Sequence, residues 1–247
     1  MSRLHYDEAT RTLYGAFRYP GVVEHVGALD TRDGTVRQLA DIKGAMHYMV
    51  ASFAYDPGSG TAFYTENNTA LRDLKAVDVK TGEVRTLLEQ ASIGEIVFNP
   101  ADRSLLGVRH LYGLATLVRI PYPYTEWKEI HTFPWEHVPS DPDISRDGRL
   151  LSASISDDKG DQFLRVWRLE ALLAGDVTPL RECGFGQSVP ESFVFSPDGR
   201  CRCPTGGSPS SPTPARVSCR RSSRHARSRT SARSDSSGPQ WPRSTRR

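Results

Sequence analysis

The chain has 247 residues, 37% of them hydrophobic, which is enough to bury one sizeable core or two small ones. The net charge of +3 combines two opposite parts: residues 1–200 carry 21 basic and 28 acidic side chains, whereas residues 201–247 carry 11 arginines and one acid. No apolar run approaches the ~20 residues that a membrane-spanning helix needs, which excludes that class of protein. The first residues lack the apolar core of a secretory signal, so we expect the chain as written to stay in the cytoplasm.

A repeated segment predicts hairpins along the first 200 residues. Each copy has a short β-rich run, a turn containing Pro or Asp-Gly, and a second apolar run. Proline holds φ at about −65° early in such a turn, and glycine supplies a positive φ late in it. The interval of roughly 43 to 51 residues is typical of propeller blades. The copies cover residues 4–15, 53–64, 96–107, 143–152 and 193–200.

A second motif alternates with the first. Residues 27–39 match residues 76–87, and each reads as a third strand, a glycine-bearing turn and an outer fourth strand. Residues 164–169 resemble the same third strand, and residues 170–175 after it are expected to form one helical turn that Gly175 ends. Two hairpins per unit make four antiparallel strands, which is the composition of a propeller blade.

The sequence therefore predicts an all-β fold, an incomplete β-propeller of four-stranded antiparallel blades. Residues 1–200 hold about four blades and the first strand of a fifth, and residues 201–247 form a disordered tail. The alternative is an all-β sandwich with strands every 8–12 residues or so. A sandwich does not repeat the same turn pattern at a fixed interval, so the propeller is favoured.

The turn motifs also carry a family resemblance. Residues 144–151 and 195–200 resemble the Ser-Pro-Asp-Gly-(Lys/Arg) signature of TolB-like, WD40-like bacterial propellers, and residues 164–169 are similar to a strand of the same blades. The resemblance covers residues 1–200 and implies a protein-binding scaffold, often in the periplasm or cell envelope and sometimes joined to a peptidase domain. The third unit departs from it, with Asp102-Arg103 in place of Asp-Gly and residues 121–124 as an expected exposed loop.

The tail has 12 Ser, 11 Arg and 6 Pro but no Leu, Ile, Phe, Tyr or Met. Such a segment buries too little apolar surface to offset the entropy of ordering its backbone, so it should be disordered. Either it is a genuine tail, whose arginines would suit nucleic acid or an anionic surface, or it is translated out of frame. In the second case the propeller is truncated, and its unclosed sheet edges would make the chain poorly soluble or dimeric.

No residue set predicts catalysis, a cofactor or a metal site. Cys201, Cys203, Cys219 and His225 lack the paired spacing of a zinc site. Residues 131–137 contain two histidines and a glutamate without the H-E-x-x-H pattern. Residues 157–161 lack the ligand spacing of a calcium loop. The chain contains no G-x-S-x-G elbow and no phosphate-binding loop, so we expect it not to be an enzyme.

Four aromatic residues in predicted loops are the candidate binding residues: Tyr122, Tyr124, Trp127 and Trp135. Aromatic side chains are common anchors of protein interfaces. The alternative is packing between neighbouring blades, where Trp135 in particular would cover the core. The predicted function is a non-catalytic scaffold that binds protein or peptide. The alternative is the substrate-gating propeller of a peptidase, and nucleic acid is expected only if the basic tail is genuine.

Overall fold

The computed structural model describes residues 4–19, 22–41, 50–66, 73–188 and 195–196. They form four separate antiparallel sheets, each of four strands joined in chain order. Sheet 1 contains β1 (His5–Asp7), β2 (Thr12–Tyr19), β3 (Val22–Asp30) and β4 (Val36–Asp41). Sheet 2 contains β5 (Val50–Asp56), β6 (Thr61–Glu66), β7 (Leu74–Asp78) and β8 (Val84–Leu88). Sheet 3 contains β9 (Ile93–Phe98), β10 (Leu105–Leu111), β11 (Leu114–Ile120) and β12 (Lys128–Thr132). Sheet 4 contains β13 (Val138–Ile144), β14 (Leu150–Ser156), β15 (Gln162–Arg168) and β16 (Arg181–Gly186).

The turn that joins the first two strands is built alike in all four sheets. One residue in each turn has a positive φ: Arg11 (53°), Gly60 (68°), Arg103 (59°) and Gly148 (71°). In three sheets a side chain at the end of the first strand, that of Asp7, Asp56 or Asn99, accepts a hydrogen bond from the backbone N–H two residues later. These local hydrogen bonds stabilise the turn without any distant contact. The repeat read from the sequence is confirmed.

The second repeated motif also forms equivalent turns. Asp30 accepts the N–H of Arg32, and Asp78 accepts the N–H groups of Lys80 and Thr81. In sheet 4 the corresponding connection is longer and contains the helix α1 (Leu169–Leu173), after which Gly175 has a φ of 92°. The predicted helical turn is confirmed.

The first strand of each sheet lies next to the first strand of the following sheet. The Ser52 hydroxyl on β5 accepts from the N–H of Ile96 on β9 (3.0 Å) and donates to its carbonyl (3.3 Å). On β1, the His5 ring lies 5.8 Å from that of Phe53 on β5. After β16 the chain again contacts one of these first strands, because the N–H of Phe195 donates to Asp143 on β13 (2.8 Å). These strands therefore surround a common axis, as in a propeller.

Three hydrophobic clusters join the sheets in consecutive order, and each sheet packs face to face on the next. The clusters include Tyr14, Phe53 and Tyr64 between sheets 1 and 2, Phe63, Ile93 and Leu105 between sheets 2 and 3, and Leu106, Leu151 and Trp167 between sheets 3 and 4. Within the residues that the structure describes, no such cluster joins sheet 4 to sheet 1. Four small sheets in an arc are a propeller arrangement and not the two layers of a sandwich.

The tail, residues 201–247, and most of the predicted fifth unit lie outside the described residues. No helix in the described ranges is both long and apolar enough to cross a membrane.

Candidate functional site

The four candidate aromatic residues do not form one surface. Each sheet has two ends: the first-turn end carries the turn after its first strand, and the second-turn end carries the turn after its second strand. Tyr122 and Tyr124 lie in the β11–β12 loop at the first-turn end of sheet 3. Trp135 lies in the β12–β13 connection at the second-turn end, and Trp127 is the last residue of the β11–β12 loop, with its ring beside Arg109.

Arg103 organises the first-turn end. It occupies a positive-φ position where sheets 2 and 4 have glycine, and its guanidinium pairs with the carboxylate of Asp56 on the preceding sheet at 3.0 Å. The Asp56 side chain is 4% exposed and also accepts from the N–H of Gly58 and the hydroxyl of Ser59. The exposed Tyr122 ring lies 5.0 Å from the Arg103 guanidinium. The departure from Asp-Gly in the third unit thus creates a polar link between two sheets.

Tyr124 is buried in that link. It is 3% exposed, its ring meets Phe63 edge to face at 4.8 Å, and its hydroxyl donates to the Arg103 carbonyl at 2.8 Å. Burial, with the negative charge of Asp56 next in importance, raises the pKa of Tyr124 to about 12. The prediction that residues 121–124 form an exposed loop is therefore wrong at Tyr124, since its ring fills the cluster between sheets 2 and 3.

The raised pKa of Tyr124 makes the stability of the fold sensitive to alkali. A free tyrosine in the unfolded chain ionises near pH 10, and Tyr124 in the folded chain ionises at about 12. Its contribution is complete below about pH 10 and is lost as the pH rises towards 12, because only the unfolded chain then releases the proton. We expect a loss of up to about 3 kcal/mol across this range, measured by chemical denaturation at several pH values.

The matched variant is Tyr124→Phe, which cannot ionise. Its unfolding free energy should fall less steeply over the same pH range than that of the wild type. Tyr55, whose pKa is also raised mainly by burial, contributes to the remaining slope. Equal slopes for the two proteins would contradict the assignment.

Trp127 is half-buried against the same cluster between sheets 2 and 3. The guanidinium of Arg109 lies 4.7 Å from its ring, and Arg109 Nε also donates to the carbonyl of Ala91 (3.1 Å). Trp127 therefore presents only part of its ring to solvent and packs mainly between two blades.

Trp135 is exposed, so the prediction that it covers the core is wrong. Its side chain is 60% exposed, and the six-membered part of its ring lies next to Gly113 of the β10–β11 turn. A Cβ at Gly113 would lie 2.5 Å from Trp135 Cη2, so only glycine lets the ring approach this closely.

Two exposed residues that the sequence patterns did not indicate flank Gly113, the residue that lies next to the Trp135 ring. Tyr112 is 88% exposed and has a φ of 51°, and Leu114 is 39% exposed. Tyr112 and Gly113 are the two central residues of a hairpin turn in which both have positive φ. The Tyr-Gly pair between two apolar runs was the available signal, because a side chain at the tip of a two-residue turn must point into solvent. We call Tyr112, Gly113, Leu114 and Trp135 the aromatic patch.

The remaining candidates form no reactive group. The His131 ring packs on Phe133 (4.7 Å), and burial lowers the pKa of His131, whereas His137 Nδ1 lies 3.3 Å from the Trp135 carbonyl. Asp157 accepts two backbone N–H groups in the β14–β15 turn. The described part of the chain has no group of three or more His, Cys, Asp or Glu suited to a metal ion. The candidates Cys201, Cys203, Cys219 and His225 lie outside it.

Comparison with solved structures defines the class of protein. No family model matches the chain, and no curated protein matches it by sequence. The chain has the β-propeller fold, and many solved propellers resemble it.

Among these propellers are TolB proteins. TolB from Acinetobacter baumannii aligns with a TM-score of 0.61 at 14% identity, over 77% of this chain and 44% of its own. A TolB from Agrobacterium tumefaciens aligns at 0.58 and 16%, over 76% and 67%. A propeller in a nidogen/laminin complex aligns at 0.60 and 12%, over 79% and 68%. The chain thus spans less than half of the first of these proteins. Matches also include an oligogalacturonate lyase in complex with manganese and prolyl endopeptidases.

Proposed function

We propose that the chain is a protein- or peptide-binding scaffold without chemistry of its own, and that the aromatic patch is its contact surface. The observation that carries the proposal is the exposure of Tyr112 and Trp135, 88% and 60%, the first adjacent in sequence to Gly113 and the second next to Gly113 in space. Large aromatic rings supply contact area at a low cost in side-chain entropy, which is why they anchor interfaces.

The backbone at Tyr112 supports this proposal. A bulky residue at positive φ is strained by about 1 kcal/mol or more, and an asparagine or glycine would fit the turn better. The exposed ring returns little packing energy to its own fold. A residue that costs stability and faces solvent is expected where binding requires it.

The test is a peptide library displayed on phage and selected on the wild-type chain, with affinities of the selected peptides then measured on variants. We expect Trp135→Ala to weaken binding at least tenfold, about 1.4 kcal/mol or more. Tyr112→Asn should weaken binding while raising the melting temperature, because it relieves the turn. A purely structural role would not separate these two effects.

Val84→Ala is the matched control, since Val84 is an exposed residue of sheet 2 outside the patch. Peptides that bind the wild type and both patch variants equally would refute the proposal. Loss of binding in Tyr122→Ala alone would place the contact surface at the first-turn end instead.

The alternative function, the gating of substrate for a peptidase, rests only on the fold that this chain shares with prolyl endopeptidases. They share the fold with this chain at low identity, and the same fold serves many functions. No contact among the described residues favours gating over the scaffold.

A further inference from the structure

Three loops meet around Trp135 at the second-turn end of sheets 3 and 4. They are the β10–β11 turn, the β14–β15 turn and the turn Pro134–His137, which is closed by a hydrogen bond from its last N–H to its first carbonyl (3.1 Å). The β10–β11 turn reaches the second of these because Gly113 lies next to the Trp135 ring. The β14–β15 turn does so because Val138, where β13 begins, pairs with Ser156, where β14 ends. The aromatic patch is therefore bordered by the β14–β15 turn.

The charges of these loops are mostly negative. The three loops contain four acids and one base: Glu136, Asp157, Asp158, Asp161 and Lys159. The Asp157 carboxylate accepts hydrogen bonds from two backbone N–H groups of its own turn. Glu136 and Asp158 are exposed, and neither pairs with a cation among the described residues. A partner that carries positive charge is therefore complementary to this surface.

Glu136 occupies its position at a cost in backbone conformation. Trp135 and Glu136 are the two central residues of their turn, and Glu136 has a φ of 65°. Glycine or asparagine adopts such a value more readily at this point of a turn. Tyr112 in the neighbouring turn has the same property, with a φ of 51°. Two exposed residues with an unfavourable backbone, one aromatic and one anionic, thus belong to the turns that meet at the Trp135 ring, which is typical of a binding site.

The first-turn end of the same fold shows which group a ring and a carboxylate hold together. There the Arg103 guanidinium lies 5.0 Å from the centre of the Tyr122 ring and pairs with the Asp56 carboxylate at 3.0 Å. Trp135 and Glu136 offer the same two groups at the second-turn end. No arginine or lysine of the described part of the chain lies over the Trp135 ring. A cation that suits this pair would come from a partner.

We propose that the aromatic patch binds a peptide segment through an arginine side chain, whose guanidinium lies on the Trp135 ring and pairs with Glu136. This inference rests on the proposed function and names the chemistry of the partner. Arginine suits the site better than lysine, because its planar guanidinium stacks on an aromatic face and pairs with a carboxylate through two N–H groups. An apolar residue beside the arginine would pack on Leu114, which is 39% exposed.

Peptides selected from the phage library on the wild-type chain provide the probe. We expect arginine to be enriched in them over the unselected library. The peptide that binds most tightly is then synthesised with arginine and with citrulline, a neutral side chain of the same planar shape, and both are titrated by calorimetry. Citrulline should weaken binding about tenfold, because it removes both the contact of the cation with the ring and the ion pair.

Glu136→Gln tests the ion pair by itself. It should weaken the arginine peptide about threefold and leave the citrulline peptide unchanged, because only the charged peptide pairs with the carboxylate. Raising sodium chloride from ~0.05 to ~0.5 M should also weaken the arginine peptide more on the wild type than on this variant. Circular dichroism melting verifies that the variant remains folded.

Glu83→Gln is the matched control, since Glu83 is exposed at the first-turn end of sheet 2 and its replacement changes the net charge equally. It should bind both peptides like the wild type. Three results would overturn this inference and leave the contact surface in place: selected peptides that need Trp135 but lack arginine, equal binding of the citrulline form, or an equal effect of Glu136→Gln on both peptides. Selected peptides that bind Trp135→Ala as tightly as the wild type would overturn the contact surface as well.

Discussion

Replacing Gly148 by alanine is expected to lower the free energy of unfolding by about 3 kcal/mol. Gly148 has a φ of 71°, which costs any other residue except asparagine or aspartate about 1–2 kcal/mol. A Cβ there would also lie 2.3 Å from Asn99 Oδ1 and 2.5 Å from Ala101 Cβ. Since both neighbours belong to the first turn of sheet 3, the clash pushes two sheets apart, which adds about 1–3 kcal/mol. The melting temperature should fall by about 6–12 °C.

Gly160→Ala separates the two causes. Gly160 lies in the β14–β15 turn with a φ of 79°, but a Cβ there would meet nothing within 4 Å. This variant should therefore lose only the backbone contribution, about 1–2 kcal/mol. Thermal or urea unfolding of both proteins gives the comparison. If the two glycines prove equally sensitive, sheets 3 and 4 are not in the close contact described above.

Truncation of Phe63 is expected to have an effect of similar size. Phe63 is fully buried between sheets 2 and 3, where its ring stacks on Phe98 (6.2 Å) and meets Tyr124 (4.8 Å). Phe63→Ala leaves a cavity and removes both ring contacts, so the free energy of unfolding should fall by about 3–5 kcal/mol. Denaturant titration measures this change directly.

A second readout is specific to this contact. The cavity admits water to Tyr124, so the raised pKa of Tyr124 should move back towards 10 in Phe63→Ala, as followed by the ultraviolet absorbance of the tyrosinate. Val84→Ala, in the same sheet but exposed, should change neither the stability by more than about 0.5 kcal/mol nor the titration. An unchanged Tyr124 pKa in the Phe63 variant would mean that the two rings are not energetically coupled.

The exposure of the four candidate aromatic residues was harder to predict than the fold. Tyr122, Tyr124, Trp127 and Trp135 were chosen because they are aromatic and lie in loops, but loop position does not determine exposure. Tyr124 is buried because Phe63, 61 positions earlier, provides the other half of its contact. Trp135 is exposed because Gly113 allows its ring to lie on a turn outside the core. Whether any of the four binds a partner stays a prediction.

The sequence by itself determined the strands, the turns and their repetition into blades. The reason is that these features depend on hydrogen bonds and dihedral angles within a few residues, such as the carboxylate of Asp78 accepting the next N–H groups or the positive φ of Gly148. Only the tertiary structure decided that Arg103, at a position where two other sheets have glycine, pairs with Asp56. This pair follows from how sheet 3 faces sheet 2, and its two residues are 47 positions apart, beyond the range of any local pattern.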